Sequence, residues 1–141
     1  MKSILLAGLI FSAAVSAAET SNLRVIATNV QSDKGQIIVW VYDNKDDWLS
    51  DRFRTFKSVK VAGNRAGNSV TVELLLPPGE YALSVFQDED NDTKLKSNFI
   101  GIPKEPAALS NNARPGFGPP KYKDAVFTIG STPVEQKLSL Q

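Results

Sequence analysis

The run SVTVELLLPPGEYALSVFQD, Ser69 to Asp88, constrains the fold more than any other stretch of the chain. In its first half Val70, Val72 and Leu74 alternate with Thr71 and Glu73, the period of two that puts apolar side chains on one face of a strand. In its second half Tyr81, Leu83 and Val85 alternate with Ala82, Ser84 and Phe86. A helix would scatter such a pattern around its axis, so both halves read as strands. Pro77, Pro78 and Gly79 stand between them, and the pair is expected to form a hairpin. Leu23 to Val30 and Gln36 to Tyr42, rich in Val, Ile and aromatics, flank the turn-like QSDKG around Gly35 and read as another antiparallel pair. AVFTI (Ala125 to Ile129) and VEQKLSL (Val134 to Leu140), joined by GSTP (Gly130 to Pro133), read as a further hairpin. Short strands with Pro/Gly turns and little helix predict an all-β fold, a single antiparallel β-sandwich of about seven strands.

Two segments depart from that rhythm. DNKDDWLSDRFRTFKSV, following Tyr42, offers cap residues at Asn44, Asp46 and Asp47 and then Leu49, Phe53 and Phe56 at helical spacing, which predicts one short helix over an end of the sheets. From Phe99 to Lys123 the chain holds five of the eight prolines, Pro103, Pro106, Pro115, Pro119 and Pro120. Proline lacks a ladder donor, so this is no central strand. Its length exceeds that of ordinary structureless loops. Phe99, Ile100, Ile102, Leu109, Phe117 and Tyr122 supply apolar anchors, which predict a rigid Pro/Gly/Asn-rich loop packed on the sandwich.

The first 18 residues read as a leader. Lys2 precedes an uncharged apolar run from Ile4 to Val15, and the small residues Ser16, Ala17 and Ala18 follow, the three-part build of a secretory signal peptide cleaved near Ala17 or Ala18. The run is too short to cross a bilayer as a helix. The expectation is a leader over 1–18, one domain over 19–141, and a periplasmic or secreted protein without a membrane span. Since Lys2 is the leader's only charge, the remaining Lys and Arg balance the Asp and Glu, 16 and 15 in the whole chain. Such a balance has no electrostatic footprint for nucleic acid. The expected partner is a protein, glycan or small molecule, and the chain is expected to be a monomer.

Chemistry is narrowed by what is missing. There is no Cys and no His, which removes disulfides, Cys-His and Ser-His-Asp catalysis and His-held metals. What remains is FQDEDNDTKLKSNF, with Asp88, Asp90 and Asp92 on alternate positions where a strand stops. Alternate acids converge on a hard cation in calcium loops, and Asn98 can add an oxygen. However, the sixth, ninth and twelfth positions counted from Asp88 are Thr93, Lys96 and Phe99, where such loops need Gly, a ligand and an acid. A general acid and base pair among Asp88, Glu89, Asp90, Asp92 and Glu105 would need one carboxyl in an apolar pocket, and an exposed turn leaves them solvated. Ser110 has only Lys94 or Lys104 as a conceivable base. A turn in which Asp and Asn bond their own backbone accounts for the same residues, with Glu105, Asn111 and Asn112 ordering the long loop or meeting a ligand.

The order PPGEYALSVFQDEDND, FIGIPKE, SNNA, FGPP and the pair Asp124-Ala125 resembles a bacterial exported family catalogued as domain of unknown function 2141, over roughly Gly35 to Leu140. That resemblance implies a small secreted or periplasmic β-sandwich of the prealbumin or carboxypeptidase-regulatory kind, with no activity to carry over. Against the family pattern, Gln87 stands for a His, Asp90 to Thr93 for an Asn-rich loop containing Gly, Lys96 for an Asp, and Pro106 to Leu109 for Gly with aromatics. The functional expectation is an exported, non-enzymatic binding or accessory module without a cofactor. The alternatives are a calcium-dependent module with the 88–98 loop as metal site and a transthyretin-like hydrolase.

Overall fold

A computed structural model describes residues 20–94 and 105–141. The expected leader, Lys96, Asn98, Phe99, Ile100, Ile102 and Lys104 lie outside the described residues. Among those described, nine strands form: β1 (Ser21–Thr28), β2 (Gln36–Tyr42), β3 (Thr55–Lys60), β4 (Arg65–Ala66), β5 (Ser69–Leu76), β6 (Gly79–Asp88), β7 (Ala107–Leu109), β8 (Phe127–Ile129) and β9 (Val134–Ser139). One sheet runs β4-β5-β1-β9 and the other β3-β2-β6-β7, with β8 on the first residues of β6. The alternating apolar residues meet between them: Leu23 and Val25 of β1, Val70, Val72 and Leu74 of β5, Ile37, Val39 and Val41 of β2, and Leu83 and Val85 of β6 form one buried core. The all-β sandwich expected from the sequence is the observed architecture.

The connections differ from the three expected hairpins. β1 and β2 lie in different sheets, as do β5 and β6, and β8 and β9 pair with β6 and β1 rather than with each other. At the β5–β6 corner the reason is local. A two-residue hairpin needs positive φ at its central positions, which Pro77 and Pro78 cannot adopt, so the chain crosses to the other sheet. The Tyr81 hydroxyl donates to the Pro77 carbonyl at 2.6 Å and pins that corner. The tight hairpin that does form is β4–β5, across Gly67-Asn68 with Gly67 at φ +60. The sandwich is also not wholly antiparallel, because β9 lies parallel to β1 from Leu23↔Val134 to Thr28↔Ser139.

The short helix expected after Tyr42, with Leu49, Phe53 and Phe56 on one face, does not form. Asn44 caps a 3-10 turn at Lys45–Asp47, accepting the Asp47 N–H at 2.9 Å, and the chain then turns outward through Leu49 at φ +61. Phe56 enters β3 opposite Trp40, and Phe53 stacks on Trp40 with ring centroids 5.2 Å apart. Of the three residues read along the sequence as a helical face, Phe53 and Phe56 thus meet Trp40 of β2, while Leu49 is exposed. Competition with β2 for backbone pairing decides against the helix, since β3 gives that strand its second neighbour. The short helix among the described residues is α1, Tyr122–Ala125.

The described part of the proline-rich segment returns alongside β6, whose residues from Tyr81 to Asp88 are all buried. β7 pairs at its edge from Ser84↔Leu109 to Phe86↔Ala107. Ser110, fully buried, accepts the Leu83 N–H at 2.8 Å and donates to the Ala125 carbonyl at 2.5 Å. Phe117 breaks the expectation of an anchor: it is fully exposed. Trp48 anchors this region instead, donating its indole N–H to the Pro120 carbonyl at 3.0 Å and meeting Tyr122 edge-on. Burial pushes the Tyr42 hydroxyl well above its ordinary pKa, and that hydroxyl donates to the Ser50 carbonyl at 2.6 Å.

Candidate functional site

The far end of β6 carries the acidic turn. Asp88 is the last residue of the strand and pairs in register with Gln36 at the start of β2. Its backbone carbonyl is backed by Gly35, where a Cβ would lie 1.8 Å from that oxygen. The chain therefore has no room for any other residue at Gly35, which also holds φ at +67. Next to Asp88, Gln87 is buried and its side-chain amide donates to the Ser32 and Lys34 carbonyls at 3.2 and 2.9 Å, tying the 31–35 loop to the strand end. The Gln87 N–H donates to the Pro106 carbonyl at 2.9 Å, which draws in the returning segment with Glu105. Three loops thus converge on one strand end.

The carboxylates converge with them. One oxygen each of Asp88, Asp90, Asp92 and Glu105 lies within 4.8 Å of the others. Asp88 is 0% exposed and Glu105 6%, while Asp90 and Asp92 face solvent. The expectation of an exposed, solvated cluster is therefore corrected for half its members, because Pro106 and β7 bring Glu105 across the strand end. Asp88 accepts the Gln36 side-chain amide and the Thr93 N–H, both at 2.9 Å, and the Asp92 N–H at 3.2 Å. Glu105 accepts the Glu89 N–H at 2.7 Å. Asp92 accepts the Lys94 N–H at 2.9 Å. These bonds hold a turn that visits positive φ at Asn91 and Thr93. The cluster offers hard oxygen donors suited to a small divalent cation, without the spacing of an EF-hand.

Asn111 and Asn112 are elsewhere. Both sit at positive φ, and their side chains bind backbone: Asn111 donates to the Val126 carbonyl at 2.9 Å, and Asn112 donates to Lys137 at 3.1 Å and accepts from the Ser139 N–H at 3.0 Å. They clamp the returning segment to β9 and do not reach the carboxylates. Ser110, weighed as a nucleophile, has its hydroxyl committed to two backbone groups. Gln36, Gln87 and Gly35 take part in the site without having been singled out for it. Gly35 and Gln36 had only position to mark them, in and beside a turn, and Gln87 was noted only as a departure from the family pattern at the end of a strand. From Gln36 and Thr93, both bonded to Asp88, a groove of about 200 Å³ runs past Ile38 to Trp40, Phe53 and Phe56.

Residues 25–137 match the family DUF2141, described as an uncharacterized protein conserved in bacteria. The chain belongs to that family. No curated protein and no solved structure matches it. The DUF2141 match spans the acidic turn, Glu105 and the Asn111-Asn112 clamp alike, so the whole site lies inside the family's extent. It ends within β9 and begins within β1, the two strands that pair in parallel.

Proposed function

We propose that this protein is an exported binding or accessory module without catalysis of its own. The observation that carries the reading is how its candidate catalytic groups are used. Asp88, Glu105 and Ser110 are all buried, and each is engaged by main-chain groups that a reacting group would have to give up. A hydrolase of the transthyretin-like type would need a base beside Ser110, and this chain has no histidine to supply one. Two sheets around one core support the prealbumin-like assignment that the sequence resemblance implied. Export rests on the three-part pattern of residues 1–18. In a bacterial host carrying the full chain, the protein is expected in the periplasm or medium with an intact mass lacking 17 or 18 residues. Assays on ester, peptide and glycoside panels are expected to show no turnover. Turnover lost on Ser110→Ala or Asp88→Asn would overturn the reading.

A second reading is favoured by the convergence of four carboxylates within 4.8 Å of one another. On it, calcium bridges the 88–92 turn to Glu105 and orders this end of the module. A cation bound only by the native state adds RT ln(1 + [L]/Kd), about 2.7 kcal/mol at 1 mM calcium for a Kd near 10 μM. The expected result is a melting temperature several degrees higher in calcium than in EDTA. Asp90→Asn with Asp92→Asn should abolish that shift while leaving the buried bonds of Asp88 in place. Identical melts in EDTA, calcium and magnesium would exclude the metal and leave the hydrogen-bonded clamp alone.

A further inference from the structure

One edge of the sandwich is open. β4 is two residues long and pairs with Ser69 and Val70, so from Thr71 to Leu76 β5 has β1 on one side and no ladder partner on the other among the described residues. The register shows which backbone groups face out. Ala66 and Ser69 flank the two-residue turn, so they form its hydrogen-bonded pair, and Ser69 aims its N–H and C=O toward β4. Alternation then turns those of Thr71, Glu73 and Leu75 to the same, open side. The opposite flank of β1 agrees, since Thr28 uses its carbonyl for Leu140 beyond β9 rather than for β5.

A cleft of about 710 Å³ lies along this edge between β5 and β3, lined by Phe56, Lys57, Glu73 and Leu75 among others. Phe56 is 55% and Leu75 67% exposed, and they are two of the four large hydrophobic side chains that stand in solvent among the described residues. Soluble proteins usually blunt such an edge with Lys, Pro or a bulge. Here Thr71 to Leu76 carries one charge, Glu73, and ends in three leucines.

A second copy of this chain fits the edge poorly. Antiparallel self-pairing centred on Glu73 sets that carboxylate directly against its own copy, a destabilising like-charge pair. Registers that offset the two carboxylates are short: centred on Leu74 or Leu75 they run into Pro77, which has no N–H to give, and centred on Thr71 or Val72 they run into Ser69, whose backbone groups face β4. A foreign strand meets neither obstacle, and Glu73, which has Arg24 opposite it on β1, favours a basic residue on its open side as well. We propose that the Thr71–Leu76 edge accepts an extended segment of another protein as an added strand. Lys or Arg would sit opposite Glu73, with apolar side chains against Leu75 and Phe56. Main-chain bonds to Thr71, Glu73 and Leu75 supply affinity, and the alternate side chains supply selectivity. This names the partner class of the binding module and rests on that reading.

The test uses the mature protein and two synthetic peptides, Thr-Val-Thr-Lys-Val-Thr-Val and the same peptide with Glu for Lys. Calorimetry is expected to show the Lys peptide binding about tenfold more tightly, and Glu73→Lys is expected to invert the order. Amide shifts in NMR should centre on Thr71, Glu73 and Leu75. Leu75→Pro removes an outward N–H without touching a bond to β1, and should weaken binding about tenfold. Absence of saturable binding by about 1 mM, shifts centred elsewhere, or an order unchanged by Glu73→Lys would each overturn the proposal. So would concentration-dependent dimerisation that Leu75→Pro abolishes, which would give the edge to a second copy. Hydrolytic turnover in the separate assays would sink the non-catalytic reading while leaving this peptide result to stand or fall by itself.

Discussion

Gly35→Ala is expected to destabilise the protein by about 4 kcal/mol or more, in the range reserved for severe backbone conflicts. Two effects add at this position. Gly35 holds φ at +67, where an L side chain is strained, and its Cβ would sit 1.8 Å from the Asp88 carbonyl oxygen and 2.8 Å from the Glu89 Cα. Because the obstructing atoms are backbone, no rotamer change relieves the overlap. β2 must move away from β6 at the register pair Gln36↔Asp88. Gly63 provides the control. It holds φ at +84 with nothing within 4 Å of its Cβ position, so Gly63→Ala carries the conformational strain alone, about 1 to 2 kcal/mol. Chemical denaturation of the two variants separates clash from strain. If Gly35→Ala falls within about 1 kcal/mol of Gly63→Ala, the close approach of the 31–35 loop to Asp88 is not as tight as described.

Ser110→Ala carries the second large effect, about 2 to 4 kcal/mol. The hydroxyl is fully buried and bridges the Leu83 N–H to the Ala125 carbonyl, joining β6 to α1 across 27 and 15 residues of sequence. Alanine leaves both backbone groups buried without a partner, and each such loss costs about 1 to 3 kcal/mol. The Leu83 amide should then lose protection in hydrogen exchange more than its neighbours in β6. A change under about 0.5 kcal/mol, as at surface positions, would mean that water replaces the hydroxyl and that Ser110 is available for other chemistry. The outcome therefore bears on function as well as on stability.

The two substitutions fall on residues with very different visibility. Gly35 sits in a turn that the sequence marks plainly, yet nothing in QSDKG says what the glycine lies against. The carbonyl it faces belongs to a residue 53 positions later. Ser110 stands in a proline-rich stretch where a serine is unremarkable, and its role comes from two backbone groups on other elements. Glu105 is similar. Asp88, Asp90 and Asp92 announce themselves by spacing, whereas the fourth carboxylate joins only because Pro106 accepts the Gln87 N–H. Leu49, Phe53 and Phe56 mislead for the same reason, since their helical spacing is local, whereas Phe53 and Phe56 take their places from Trp40 on β2.

By itself the sequence determined six of the nine strands, β1, β2, β5, β6, β8 and β9, and left β3, β4 and β7 unread. Alternation along β1, β5 and β6 records which residues enter a core, and that pattern is local to each strand. It also determined that Ser-His-Asp, disulfide and thiolate chemistry are absent, because those need side chains the chain does not contain. The tertiary structure alone decided which strands are neighbours. A strand shows the same alternation whether the next one pairs beside it or crosses to the facing sheet, so all three expected hairpins and the parallel β1–β9 pair lay beyond any local pattern. It decided, too, that Asp88 and Glu105 are buried together and that Thr71 to Leu76 is left with an open edge. Burial and edge exposure are properties of what packs against a residue, and here the packing partners come from distant parts of the chain.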